Sequence, residues 1–130
     1  MFSHVMVGSN EIERSKRFYD AVLGTLGAGA PLRNKEGAGP TRLFYQHDGN
    51  IFSVTEPLDG KAATFANGGT IAFNCASPEQ VNLFHDTAIV FGGESIENPP
   101  GLRDGVLGTF FVAYVRDPDG NKLCAVHRVE

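Results

Sequence analysis

Apolar and polar positions along the chain change their period several times, and each change marks an element. Residues 2–7 are rich in β-forming side chains and stop at Gly8-Ser9-Asn10, which predicts a strand. Ser15, Phe18, Tyr19 and Val22 then share one face at helical spacing. Asn10 with Glu13 three positions on forms a capping-box pattern, and Gly24 and Gly27 end the helix. Residues 28–40 are mostly Gly, Ala, Pro and charge, with Pro31-Leu32-Arg33 as a short edge strand. Strands follow at 41–46 and 50–56, joined by the turn residues His47-Asp48-Gly49 in hairpin style.

The second half runs through the same sequence of periods. Pro57, Asp59-Gly60, Asn67-Gly68 and Gly69 break the chain into a linker before a strand at 70–75. The next helix has Ser77 as N-cap, Pro78 at its first position and Gln80 to close the box; Val81, Phe84, Ala88 and Phe91 mark its buried side, and Gly92-Gly93 terminates it. A Pro/Gly-rich loop is expected at 98–108. Strands at 110–116 and 122–129 flank Asp117-Pro118-Asp119-Gly120-Asn121.

The two halves echo each other. Glu13, Phe18, Asp20 and Gly27 recur at one constant offset as Glu79, Phe84, Asp86 and Gly93. Asp48-Gly49-Asn50 recurs as Asp119-Gly120-Asn121 at a slightly larger offset, as a short insertion in the first half would give. A repeat of this length makes each half one supersecondary unit that buries its apolar face against its twin. The division is repeat one at 1–57, linker at 58–69 and repeat two at 70–130, within a single domain.

Ten Phe and a 42% hydrophobic content in 130 residues suffice for a packed core without staples. The formal charge of −4, with both signs interspersed, offers no basic stripe, so nucleic acid is not an expected partner. The first seven residues turn polar too soon for a signal peptide or membrane span, and a cytoplasmic location is expected. Cys75 and Cys124 lie in strand-like stretches without a CxxC partner and read as reduced thiols.

With DPDGN placed before the last strand KLCAVH, and a β-α-β-β-β unit on either side of a Gly-rich linker, the chain resembles the vicinal oxygen chelate superfamily of glyoxalases, bleomycin-resistance proteins and extradiol dioxygenases. The resemblance implies an α+β fold in which two β-α-β-β-β repeats form a cup-shaped mixed sheet, commonly in a homodimer. It also implies metal ligands at the cup's centre from the first and last strands of each unit. Those positions are His4, Ser53, Thr70 and Cys124 here, so His4 is the only conventional ligand present. No cofactor is expected, with a weakly held divalent ion as the alternative.

Other candidates follow from strand parity. His4 is open to roles as a vestigial ligand, an acid/base, a ligand donor or a histidine in a polar cavity. Tyr114 and Arg116 share the face that would look into the cup, with Arg116 as an anion anchor. Tyr45 is placed opposite Arg116 as a second aromatic wall, and Asn74, on the face of Thr70, as a hydrogen-bond donor. Glu56 points out of the cup, Arg103 sits on a loop over its mouth, and His127 alternates away from Cys124. Three functions fit: a metal-free protein that holds a small organic, anionic ligand; a glyoxalase-like lyase or isomerase using His4; and a non-catalytic dimerisation module.

Overall fold

The computed structural model describes residues 1–129, and Glu130, the last residue assigned to repeat two, lies outside them. The described elements are β1 (Val5–Gly8), α1 (Ile12–Gly24), β2 (Leu32–Asn34), β3 (Arg42–His47), β4 (Asn50–Thr55), β5 (Ile71–Asn74), α2 (Pro78–Val90), β6 (Glu94–Gly105), β7 (Gly108–Arg116) and β8 (Lys122–Arg128). They form an α+β fold of two mixed four-stranded sheets, ordered β1-β4-β3-β2 and β5-β8-β7-β6. In each sheet the opening strand runs parallel to the closing one and the remaining pairs are antiparallel. The sheets are open and do not close into a barrel.

Each helix covers one face of its own sheet. Phe18, Tyr19, Val22 and Leu23 of α1 and Val81, Phe84 and Ala88 of α2 meet alternate strand residues, among them Leu43, Tyr45, Phe52, Val54, Val115, Leu123 and Ala125, in one shared core. Phe52 and Phe73 join the two halves of that core with ring centroids 5.3 Å apart. The intervening residues of each strand lie on the face without a helix, here called the bare face.

Four sequence expectations change. Asn10 does not cap α1: Glu11 is the N-cap residue, Ser9 Oγ accepts from its N–H at 3.1 Å, and the Asn10 side chain instead exchanges two hydrogen bonds with the Ala63 backbone. Phe91 ends α2 and is 45% exposed, so it does not belong to the buried side. The expected loop at 98–108 is largely strand: β6 pairs with β7 at Ile96↔Tyr114, bulges out through residues 97–100, and pairs again from Gly101↔Val112. The extra residues that enlarge the turn-motif offset therefore lie in the second half, not the first.

Candidate functional site

The bare faces carry most of the candidate chemistry. On the first sheet Met6 lies opposite Ser53, which lies opposite Phe44. Ser53 is completely buried, and its Oγ has no hydrogen-bond partner among the described residues. His4 extends the same alternation one step beyond β1 and is exposed, with Nδ1 3.0 Å from Ser3 Oγ.

On the second sheet Ala72 lies opposite Cys124, which lies opposite Tyr114. Burial pushes the Cys124 thiol above its ordinary pKa, opposed in part by the Tyr114 hydroxyl and the nearby Lys122. Tyr114 is pushed up too, first by its own burial and then by Cys124. The Lys122 ammonium sits 4.9 Å from the centre of the Tyr114 ring and forms an ion pair with Glu97. Glu97 holds a left-handed φ of 61° at the start of the β6 bulge. Neither Lys122 nor Glu97 had been singled out in the sequence, because a bulge brings Glu97 across to β8 and no residue pattern announces it.

Arg116 lies next to Lys122 on this face. Its Nη1 donates to the Gly120 carbonyl at 2.8 Å, and the linker residue Phe65 places its ring 5.2 Å from the guanidinium carbon. Among the described residues one of its five N–H donors is thus engaged. His127 points the other way, with Nδ1 3.0 Å from the Cys75 carbonyl. Cys75 is itself a buried thiol with its pKa pushed up to about 11.

Two candidates stand elsewhere than expected. Tyr45 faces the helices: it is 2% exposed, its hydroxyl donates to Asp20 at 2.7 Å, and burial with that bond raises its pKa well above the usual value. It therefore does not face Arg116 across a cup. The cross-strand partners show why. Phe44 opposite Ser53 corresponds to Tyr114 opposite Cys124, so the residue equivalent to Arg116 is Gln46. The second hairpin has a longer turn, and counting back through it shifts the register by one residue and exchanges the faces.

Arg103 belongs to β6, opposite Phe110, and is not on a loop over the mouth. Its guanidinium donates to the carbonyls of Leu102, Asn98 and Pro99 at 3.1, 3.3 and 2.9 Å, tying the bulge together. Glu56 accepts from the Thr41 N–H at 2.7 Å, a bond that lowers its pKa.

His4, Thr70 and Asn74 line, with Phe52 and Phe73, a cleft of about 730 Å³. Tyr45 also lines this cleft, from the core side. Ser53, Tyr114, Arg116 and Cys124 do not line it. In one chain the four positions of the implied ligand set are therefore divided between two sheets, His4 and Ser53 with one, Thr70 and Cys124 with the other. Their donors are one imidazole, two hydroxyls and a thiol that burial keeps protonated, a poor fit to a divalent ion that needs several imidazoles, carboxylates or thiolates. Among the described residues no three His, Cys, Asp or Glu side chains gather in one chain to hold a metal.

A family model described as Glyoxalase/Bleomycin resistance protein/Dioxygenase superfamily matches residues 1–125. Among solved structures, the chain is 52% identical to a glyoxalase/bleomycin resistance protein from Albidiferax ferrireducens T118, with a TM-score of 0.92 over 98% of this chain and 99% of that one. A glyoxalase-related enzyme from Fulvimarina pelagi shares the fold at 20% identity, with a TM-score of 0.70 over 98% of this chain and 88% of that one. Glyoxalase I from Zea mays does so at 18% identity and a TM-score of 0.70, over 96% of this chain and 45% of the maize chain. No curated protein matches.

Proposed function

The chain belongs to the glyoxalase/bleomycin resistance protein/dioxygenase superfamily, and from that premise we propose that it binds a small organic anion, without a metal, in a cup completed by a second copy of itself. The observation that carries the metal-free reading is the donor set: hydroxyls at Ser53 and Thr70 and a protonated thiol at Cys124 leave His4 alone among conventional ligands.

Each sheet has two free edges, β1 and β2 in the first and β5 and β6 in the second, and the dimer is read from the opening edge of each. β1 and β5 each lack a partner on one side, and both lead with residues on the bare faces. Pairing β1 with β5 of a second copy would extend the sheet and turn His4 and Ser53 toward Thr70, Tyr114, Arg116 and Cys124. In that cup Arg116 supplies the anion contact, Tyr114 an aromatic wall, and His4 and Asn74 hydrogen bonds. The unpartnered Ser53 hydroxyl would meet a polar ligand atom, since a buried hydroxyl without a bond costs about 1–3 kcal/mol.

The alternative is a glyoxalase-like lyase or isomerase with weak or atypical metal dependence. His4 favours it, as an imidazole at the position the family resemblance gives to a ligand and of the chemical type that serves as acid or base. Elemental analysis of protein purified without chelator, before and after loading with nickel, zinc, manganese and iron(II), separates the two. The binding reading expects no ion retained through desalting, together with thermal stabilisation by aromatic carboxylates that Arg116→Ala abolishes. A stoichiometric retained ion would overturn it in favour of the enzyme.

A further inference from the structure

An ion pair straps the bare face of the second sheet. Lys122 opens β8, Glu97 lies in the bulge of β6, and β7 runs between those two strands. The pair that joins them therefore passes over β7. It crosses at Tyr114: the Lys122 ammonium lies 4.9 Å from the centre of that ring, on the face where Tyr114 stands opposite Cys124 and Arg116 opposite Lys122. Burial pushes the pKa of the Cys124 thiol up, Glu97 adds to that push and Lys122 opposes it, so both charges reach the thiol.

The architecture does not ask for these charges. Phe44 opposite Ser53 in repeat one matches Tyr114 opposite Cys124 in repeat two, so Gln46 and Ile51 stand where Arg116 and Lys122 do. The outer strand of repeat one, β2, is a regular three-residue strand without a bulge. One sheet thus folds with an amide and an aliphatic side chain where its twin sets two cations side by side. Like charges on directly opposite residues repel, and Glu97 offsets that repulsion at Lys122. The bulge that delivers Glu97 is strained: its φ of 61° is one that residues with side chains rarely adopt, and Arg103 holds the segment through the carbonyls of Asn98, Pro99 and Leu102. Strain of this kind, kept at a charged contact that the twin sheet does without, points to ligand chemistry and not to packing.

What the strap already holds on Lys122 is a carboxylate. We propose that Glu97 stands in for the carboxylate of the ligand: an aromatic carboxylate enters over Tyr114, takes the place of Glu97 on Lys122 and shares its charge with Arg116. This rests on the anion-binding reading above, to which it adds Lys122 as a second cationic contact, and it does not depend on the dimer. Glu97 is the partner that can leave. Its side chain is already 46% exposed against 24% for Lys122, so its return to water costs little, whereas Lys122 keeps a counter-charge throughout. The strap also sets selectivity. A neutral ring has nothing to offer Lys122 in exchange, and an anion must outcompete a tethered carboxylate present at high effective concentration.

Isothermal titration with benzoate, and with benzamide as its neutral counterpart, tests the exchange in wild type, Glu97→Gln, Lys122→Met and the double variant. Removing the Glu97 charge is expected to tighten benzoate binding about fivefold or more. It should leave benzamide unchanged and lose its effect once Lys122 is replaced. Benzoate affinity that is equal in wild type and Glu97→Gln, or a gain of the same size without Lys122, overturns the strap. Arg116→Ala separates this from the reading beneath it: benzoate binding that Arg116→Ala leaves unchanged overturns the anion cup itself. Failure of both wild type and Glu97→Gln to bind benzoate overturns both. Should circular dichroism show Glu97→Gln unfolded, Glu97→Gly, which suits the left-handed φ, is measured by the same criteria.

Discussion

At the scale of single residues, Asp117 is where geometry and burial oppose each other most clearly. Its carboxylate accepts four hydrogen bonds: Tyr19 Oη and Asn121 Nδ2 on one oxygen, the Asp119 and Asn121 N–H groups on the other. An Asn amide in its place must aim an NH₂ at two donors, whichever way it is turned. Asp117→Asn should therefore lower stability at neutral pH by about 2–4 kcal/mol, read from the urea midpoint. Burial nonetheless outweighs those bonds and raises the carboxyl's pKa above its ordinary value. The native state thus binds this proton more tightly than the unfolded chain does. Its contribution is complete below the ordinary carboxylate pKa and is lost as pH rises through the raised native value. Wild type's advantage over Asp117→Asn should narrow as pH rises from below the ordinary carboxylate pKa through the raised native value. An advantage that widens over that range would contradict the assigned direction.

At the scale of elements, the passage from α2 into β6 is the tightest join. A Cβ on Gly93 would come within 2.9 Å of the Ala88 carbonyl, the Arg116 carbonyl and the Phe18 ring at once, and two of those three neighbours are backbone. Gly93→Ala should cost about 1–3 kcal/mol of stability by thermal or urea unfolding, with the loss confined to overpacking. A neutral result would mean that the helix and hairpin can shift apart freely. Both helices, the opening strands and the first hairpin were legible in the sequence because periodicity and caps report local structure. The strand β6 was not, since Pro99, Pro100 and Gly101 read as loop; the bulge carries most of that stretch outside the ladder, where missing donors do no harm. Of the candidate site, only the faces on which strand residues lie could be read in the same way. Parity put Tyr114 and Arg116 on one face of their strand, as β7 has them, whereas Tyr45 was misplaced because a face depends on register across a turn of unequal length, which the motif spacing does not carry.

At the scale of the whole molecule, one chain has a closed core and an open function. The core is shared by both repeats. The residues with ligand chemistry lie on two separate sheets whose opening edges are unpaired. Exposed Met6 and Leu32 on the first sheet, and Val106 and Leu107 at the tip of the β6–β7 hairpin, add apolar surface of the sort a second copy would cover. If unfolding is coupled to dissociation of such a dimer, mass action ties stability to concentration: a tenfold rise in total protein adds about 1.4 kcal/mol to the apparent stability. For a dimer of two chains of this size the thermal midpoint should climb roughly 2–3 °C per tenfold step, measured by calorimetry from low micromolar upward. Arg116→Ala should leave that slope intact while removing stabilisation by carboxylate ligands, because Arg116 lies on β7, inside its sheet and away from both opening edges. A midpoint independent of concentration would assign all of the measured stability to the shared core and leave the bare faces to act within a single chain.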